Sequence, residues 1–171
     1  MQEESKPLIN RVAESGLITL NLEDFYPKNE TVIFDLKDYL FRGLILREKD
    51  FREALAAIDW AQYEGKNVAL YCSTDAIIPL WAYQLVAVNV AAFANLLVCG
   101  KPDALLLLHY VQVLGKLDLS PFADKRVVIK GCGEKPVPAA AYTEIARLLQ
   151  PVVKSLMYGE PCSTVPLYKR K

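Results

Sequence analysis

Neither sign of charge is in excess in this sequence: 20 Lys and Arg face 20 Asp and Glu over 171 residues, for a formal net charge of zero. Non-specific binding to nucleic acid depends on surplus cations that displace counterions, so the balance argues against a polyanion-binding protein. Polar runs are few, the mean hydropathy is positive and 53% of the residues are hydrophobic, which excludes a disordered chain. Met1 to Lys6 is mildly acidic and has no apolar run, so no secretory signal is visible. Histidine occurs once, at His109, and any Ser-His-Asp or Cys-His arrangement would depend on it. His109 shares a polar helical stripe with Gln112 and Lys116 and reads as a surface residue. Gly-x-Gly-x-x-Gly, phosphate-loop and Cys-x-x-Cys patterns are all missing.

Charge is also missing from Ala76 to Gly100, a stretch long enough to span a bilayer. Pro79, Gln84, Asn89 and Asn95 interrupt it, so a buried helix followed by a buried strand is the better reading, and no membrane partner is expected.

What is present is a rhythm. Leu17–Leu22 and Thr31–Leu36 read as strands, and Glu48–Glu64 as a helix capped by Gly65. Leu44–Leu46 fits a short strand or a helix lead-in equally. Val68–Tyr71, Leu96–Val98 and Val127–Lys130 are buried-strand patterns. Each is followed by a helical one: Ile78–Ala92, Pro102–Leu114 and Val137–Leu149. Pro151 kinks or restarts the last helix, which is expected to run to Met157 and stop at Gly159. A lead-in helix is expected over Pro7–Ser15. Short connections between alternating strands and helices predict an α/β fold: one domain over residues 1–171, with a mostly parallel sheet of βα units and helices on its faces. Residues 159–171, with two prolines and a glycine, are expected to form an extended tail.

Four cysteines without a secretory signal are expected to be reduced thiols in the cytoplasm. Cys72, Cys99 and Cys132 each follow a strand pattern, which in a parallel sheet is the ligand-binding carboxyl edge. Lys66–Tyr83 and Arg126–Tyr142 also resemble each other. Each reads strand, cysteine, loop and Pro-x-x-Ala-Tyr, with the proline expected in the first helical turn and the cysteine near a helix N-terminus that favours a thiolate. Cys162-Ser163-Thr164 in the tail repeats Cys72-Ser73-Thr74. Cys72, Cys132 and Cys162, with Asp75 or water as fourth ligand, form a set that zinc accepts tetrahedrally.

Lys130-Gly131-Cys132, followed by Val137-Pro138 and Ala141-Tyr142 and then by Lys154-Ser155-Leu156-Met157-Tyr158-Gly159-Glu160-Pro161-Cys162-Ser163, resembles an uncharacterised bacterial family catalogued as domain of unknown function 2480. Asp75-Ala76-Ile77-Ile78-Pro79 with Trp81-Ala82-Tyr83 fits it, as does Gly43-Leu44-Ile45-Leu46 with Lys49 and Phe51-Arg52. The resemblance covers most of the chain, and its carboxy-terminal motif is the most specific part. It implies no established activity. It does imply an association with gene neighbourhoods of iron–sulfur cluster assembly, which makes iron–sulfur assembly proteins expected partners. Within it, Cys72, Cys132 and Cys162 are motif positions and Cys99 is not.

Three readings follow. The first is a metal-binding protein, with zinc held by Cys72, Cys132, Cys162 and Asp75. In the second, a thiol or sulfur-transfer protein, Cys132 with its Gly and Lys neighbours acts as nucleophile or persulfide carrier. The third is a non-catalytic interaction module, in which the cysteines pack and the aromatics serve a homo-oligomer or a partner surface.

Overall fold

The computed structural model describes residues 16–131, 133–160 and 162–171; the helix expected over Pro7–Ser15 lies outside the described residues, as does Cys132. In chain order the elements are strands β1 (Leu17–Leu20) and β2 (Thr31–Asp35), helix α1 (Glu48–Ala56), β3 (Asn67–Tyr71), α2 (Leu80–Val90), β4 (Leu96–Cys99), α3 (Pro102–Gly115), β5 (Arg126–Ile129), α4 (Ala139–Leu149), β6 (Ser155–Glu160) and β7 (Ser163–Lys169). Short 3-10 turns lie at Leu22–Phe25, Leu36–Tyr39, Trp60–Tyr63 and Ser120–Phe122. The uncharged stretch is α2 and β4, and no described helix is long and apolar enough to cross a membrane.

The class is α/β, with strands paired in parallel as predicted, but they form two sheets rather than one. One has the order β2-β3-β4, and the other β1-β5-β6-β7, antiparallel only at β7. The chain divides into two compact units: an inserted unit, Pro27–Tyr110, and a split unit made of the described residues up to Tyr26 with Val111–Lys171. Local pattern cannot distinguish one sheet from two, because each βα unit looks alike. What decides is partner choice, and β5 pairs with β1, Leu17 opposite Arg126.

In the inserted unit, Val68, Ala69 and Leu70 of β3 are buried, as a central parallel strand requires. Phe34, Leu36, Phe51 and Leu55 join Ala82, Val86 and Val90 around Val68 and Leu70 to make its core. Helix α1 ends at Ala56, short of the predicted Glu64. Asp59 turns extended and accepts the Ala61 N–H at 3.1 Å, while the Trp60 indole N–H donates to the Leu55 carbonyl at 3.2 Å. These local bonds compete with a further helical turn. Leu44–Leu46 is neither strand nor helix: Phe41 and Ile45 pair across a tight turn with Arg42 and Gly43 at positive φ.

In the split unit, the helix expected to run to Met157 is replaced by strand β6, with Leu156 opposite Val127 of β5. Leu and Met favour a helix in isolation, but Leu156 is buried here and the strand bonds on both sides, so tertiary pairing overrides propensity. The tail returns along β6 as β7, with a bulge between Leu156 and Met157.

The two units repeat each other. Asn67 corresponds to Arg126, Pro79 to Pro138, Tyr83 to Tyr142 and Gly100 to Gly159, always 59 residues apart. Backbone bonds recur at that spacing: Gly65 N–H to Phe93 carbonyl and Asp124 N–H to Val152 carbonyl, Asn95 N–H to Lys66 carbonyl and Lys154 N–H to Lys125 carbonyl. Gly65 and Asp124 share a positive φ, and so do Gly100 and Gly159. The buried stripe Ala82, Val86, Val90 is matched by Ala141, Ile145, Leu149. Upstream, Asp35-Leu36-Lys37-Asp38 is matched by Asn21-Leu22-Glu23-Asp24, each opening with a side chain that caps a 3-10 turn and followed by a buried leucine. The constant spacing corrects the match of one cysteine with the other: Gly131 corresponds to Cys72, and Cys132 to Ser73. Pro79 and Pro138 are N-caps rather than first-turn residues, and their carbonyls accept the Ala82 and Ala141 N–H groups at 3.0 and 2.9 Å.

Candidate functional site

The carboxyl edge of the inserted unit gathers two thiols and a phenol. Leu70 lies opposite Cys99 in the parallel register, so Cys72, two residues beyond Leu70, falls on the same sheet face as Cys99. Cys72 is half-buried against the core and its Sγ lies 3.3 Å from the Thr74 hydroxyl, whereas Cys99 is exposed. Tyr83, on the first turn of α2, packs against the same core. Burial pushes its phenol up, and the neighbouring Cys99 and Cys72 push it the same way, so Tyr83 stays a protonated donor beside both sulfurs.

Asp35 braces this edge from β2. Its Oδ1 accepts the backbone N–H groups of Lys37 and Ser73, both at 3.0 Å, and Lys37 Nζ lies 3.6 Å from its other oxygen. Burial raises the carboxyl, but bonds from the Ser73 side chain and these two N–H groups, with the Lys37 charge, outweigh it and hold Asp35 below its ordinary value. A folded-state value below the unfolded one adds stability at higher pH that is lost as pH falls through the folded value. Asp35→Asn keeps the cap, as Asn21 does at the corresponding position, and removes the charge. The variant should match the parent only below the folded value, near pH about 2, and fall behind by up to about 1 kcal/mol near pH about 7 in urea titrations. A deficit of equal size at both pH values would contradict this account.

The corresponding edge of the split unit is closed by an aromatic ring. A Cβ on Gly131 would lie 2.7 Å from the Tyr158 ring, whose hydroxyl donates to the Gly131 carbonyl at 3.1 Å. Tyr158 meets Tyr142 edge to face at 5.8 Å. Tyr158 stands where the inserted unit has Cys99, Tyr142 where it has Tyr83, and Gly131 where it has Cys72. In the split unit, then, the residues at these two positions touch. Gly133 allows a second close approach, since a Cβ there would overlap the Glu23 carboxylate, which accepts the Lys135 N–H at 3.1 Å. The Lys135 ammonium lies 5.5 Å from the Tyr26 ring centroid. At the end of β6, Glu160 Oε1 is enclosed with no hydrogen-bond partner among the described residues.

Of the residues expected from sequence, Cys72 and the exposed Asp75 share the loop between β3 and α2 of the inserted unit. Cys162 is exposed in the turn joining β6 to β7 of the split unit, and Cys132 lies outside the described residues. Among the described residues, no three His, Cys, Asp or Glu side chains gather as a metal site. His109 is half-buried with its ring edge-on to Tyr110 at 5.9 Å, rather than the surface residue its stripe suggests. Cys99 and Tyr83 were missed as a pair. Two residues beyond Leu70 on one strand and level with Leu70 on the next is a relation visible only once the register is known.

No curated protein and no solved structure matches the chain. A family match does cover residues 6–170, nearly the whole sequence, including both edges just described. The chain belongs to the family described as Protein of unknown function (DUF2480).

Proposed function

We propose that this is a thiol-dependent protein working at the carboxyl edge of β3 and β4, with Cys72 and Cys99 as the acting thiols and Tyr83 as hydrogen-bond donor. The observation that carries the reading is the register that sets the two cysteines on one face, beside one tyrosine. The chemistry that suits this edge is sulfur transfer. The Cys72 thiolate attacks the outer sulfur of a persulfide donor, a new S–S bond forms at Cys72, the donor's S–S bond breaks, and the donor leaves as a thiolate that can accept a hydrogen bond from Tyr83 and takes its proton from water. Such a carrier would serve iron–sulfur assembly proteins, and its thiols require the reducing conditions of the cytoplasm.

The test is titration with phenylarsine oxide, which bridges neighbouring thiols. Stoichiometric binding should vanish in Cys72→Ser and in Cys99→Ser and persist in Cys162→Ser. Binding that survives either of the first two variants would sink the paired-thiol reading. Cysteine substitutions that cost only about 1–2 kcal/mol and change no reactivity would leave an interaction module with packed cysteines.

A second reading keeps the cysteines as ligands, with zinc held by Cys72, Cys132, Cys162 and Asp75. It rests on donor chemistry alone, three thiols and a carboxylate being a set that zinc accepts. It predicts stoichiometric zinc by elemental analysis, lost in Cys162→Ser but retained in Cys99→Ser, the opposite of the arsenical result.

A further inference from the structure

We propose that the amino edge of the split unit binds a small phosphate ester. Arg126 opens β5, Lys154 precedes β6 and Lys169 ends β7, and the register sets Arg126 opposite Ser155 and Ser155 opposite Lys169. These three cations surround a groove of about 380 Å³ whose apolar wall is Met157, Pro166 and the Tyr168 ring. None of the three has a side-chain ion pair among the described residues, and the nearby Asp124 carboxylate is taken by Arg170.

The internal repeat shows what these positions do without a ligand. Arg126 corresponds to Asn67, and Lys154 to Asn95. In the inserted unit Asn67 is fully buried, and the Asn95 amide donates to its Oδ1 at 2.8 Å. At the corresponding positions of the split unit, Arg126 and Lys154 are exposed and line one groove. The split unit replaces a complementary amide pair with two like charges and leaves them uncompensated. Strand β7, for which the inserted unit has no equivalent, supplies the third cation and part of the apolar wall. An anion between the cations turns mutual repulsion into shared attraction.

The charge and shape select the ligand class. A phosphate monoester carries about two negative charges near neutral pH and offers three acceptor oxygens. Arg126 can hold two of them through its planar fork, while the lysines act as point charges. The volume is at the small end of the roughly 300–1,000 Å³ usual for ligand pockets. That leaves room for a phosphate and one ring or short aliphatic body against Met157, Pro166 and Tyr168. A polyanion is disfavoured by the zero net charge of the chain.

The experiment is calorimetric titration of the full chain at low ionic strength with phenyl phosphate, inorganic phosphate and a heparin oligosaccharide. Phenyl phosphate should bind about tenfold or more tightly than inorganic phosphate, and Lys169→Gln should weaken it by about tenfold. Arg126→Asn combined with Lys154→Asn installs the amide pair that the inserted unit already uses. This double variant should keep or raise the urea midpoint and lose phenyl phosphate binding. Four results would overturn the proposal: no binding of phenyl phosphate, undiminished binding by the double variant, equal affinity for inorganic phosphate, or binding of heparin alone.

Discussion

Phe51→Ala is expected to destabilise the inserted unit by about 4 kcal/mol, within the range of about 3–5 kcal/mol seen when a buried aromatic ring is deleted. Phe51 has no exposed surface and lies at the centre of an aromatic array. It meets Tyr39 edge-on at 5.3 Å and Trp81 at 6.1 Å, while Phe34 stacks on Tyr39 at 5.3 Å and on Trp60 at 5.9 Å. Rings of this size cannot collapse into the vacated space without leaving their rotamers, so most of the cavity persists. Phe51→Leu, which refills much of it, should cost less than half as much. Both tryptophans of the chain, Trp60 and Trp81, belong to this unit, so urea titration followed by tryptophan fluorescence reads it selectively. A loss below about 1 kcal/mol for Phe51→Ala would mean that the array relaxes freely and is not a close-packed core.

Gly159→Ala is expected to be the most damaging glycine substitution, at about 3 kcal/mol, combining backbone strain of about 1–3 kcal/mol with a steric clash. Gly159 has a φ of 124°, and a Cβ there would lie 2.5 Å from the Ser163 carbonyl oxygen. That oxygen belongs to the backbone at the start of β7 and cannot swing away as a side chain would. Gly65 makes the comparison internal: its φ is 67°, and nothing lies within 4 Å of an added Cβ. Gly65→Ala should therefore cost only the left-handed penalty of about 1–2 kcal/mol. The split unit tolerates Asp124 at the position that corresponds to Gly65, at a φ of 57°. Far-UV circular dichroism in urea would rank the two variants. Equal costs would show that the β6–β7 turn can move aside, and Cys162 alkylation should then be unchanged rather than accelerated.

Much of the architecture could be read before any coordinates. Val68–Tyr71 and Val127–Lys130 are short apolar runs without alternation, which mark strands buried on both faces, whereas the similar run Leu96–Val98 forms a half-buried edge strand. Pro-x-x-Ala-Tyr was visible twice, because a proline cap and a buried alanine leave a local imprint. Where the reading failed, long-range pairing had overruled local preference. Ser155–Glu160 has a helix-compatible composition and became a strand only because β5 and β7 flank it.

The candidate site divides in the same way. Cysteines at strand ends were legible for Cys72 and Cys99, each set by the apolar run before it. Which of them meet was not, since register between strands is a property of two segments and no single one contains it. The cationic groove is more distant still from any motif, with Arg126, Lys154 and Lys169 drawn from three strands' ends. By itself the sequence determined the class, the βα units and the absence of a charge surplus, all of which follow from composition and short-range periodicity. Only the tertiary structure decided that there are two sheets, that β1 pairs with β5 although an inserted unit separates them in sequence, and that Cys72 and Cys99 share one sheet edge. Those are choices among partners of similar local energy, and they are settled by the burial and backbone bonding of the whole assembly of strands.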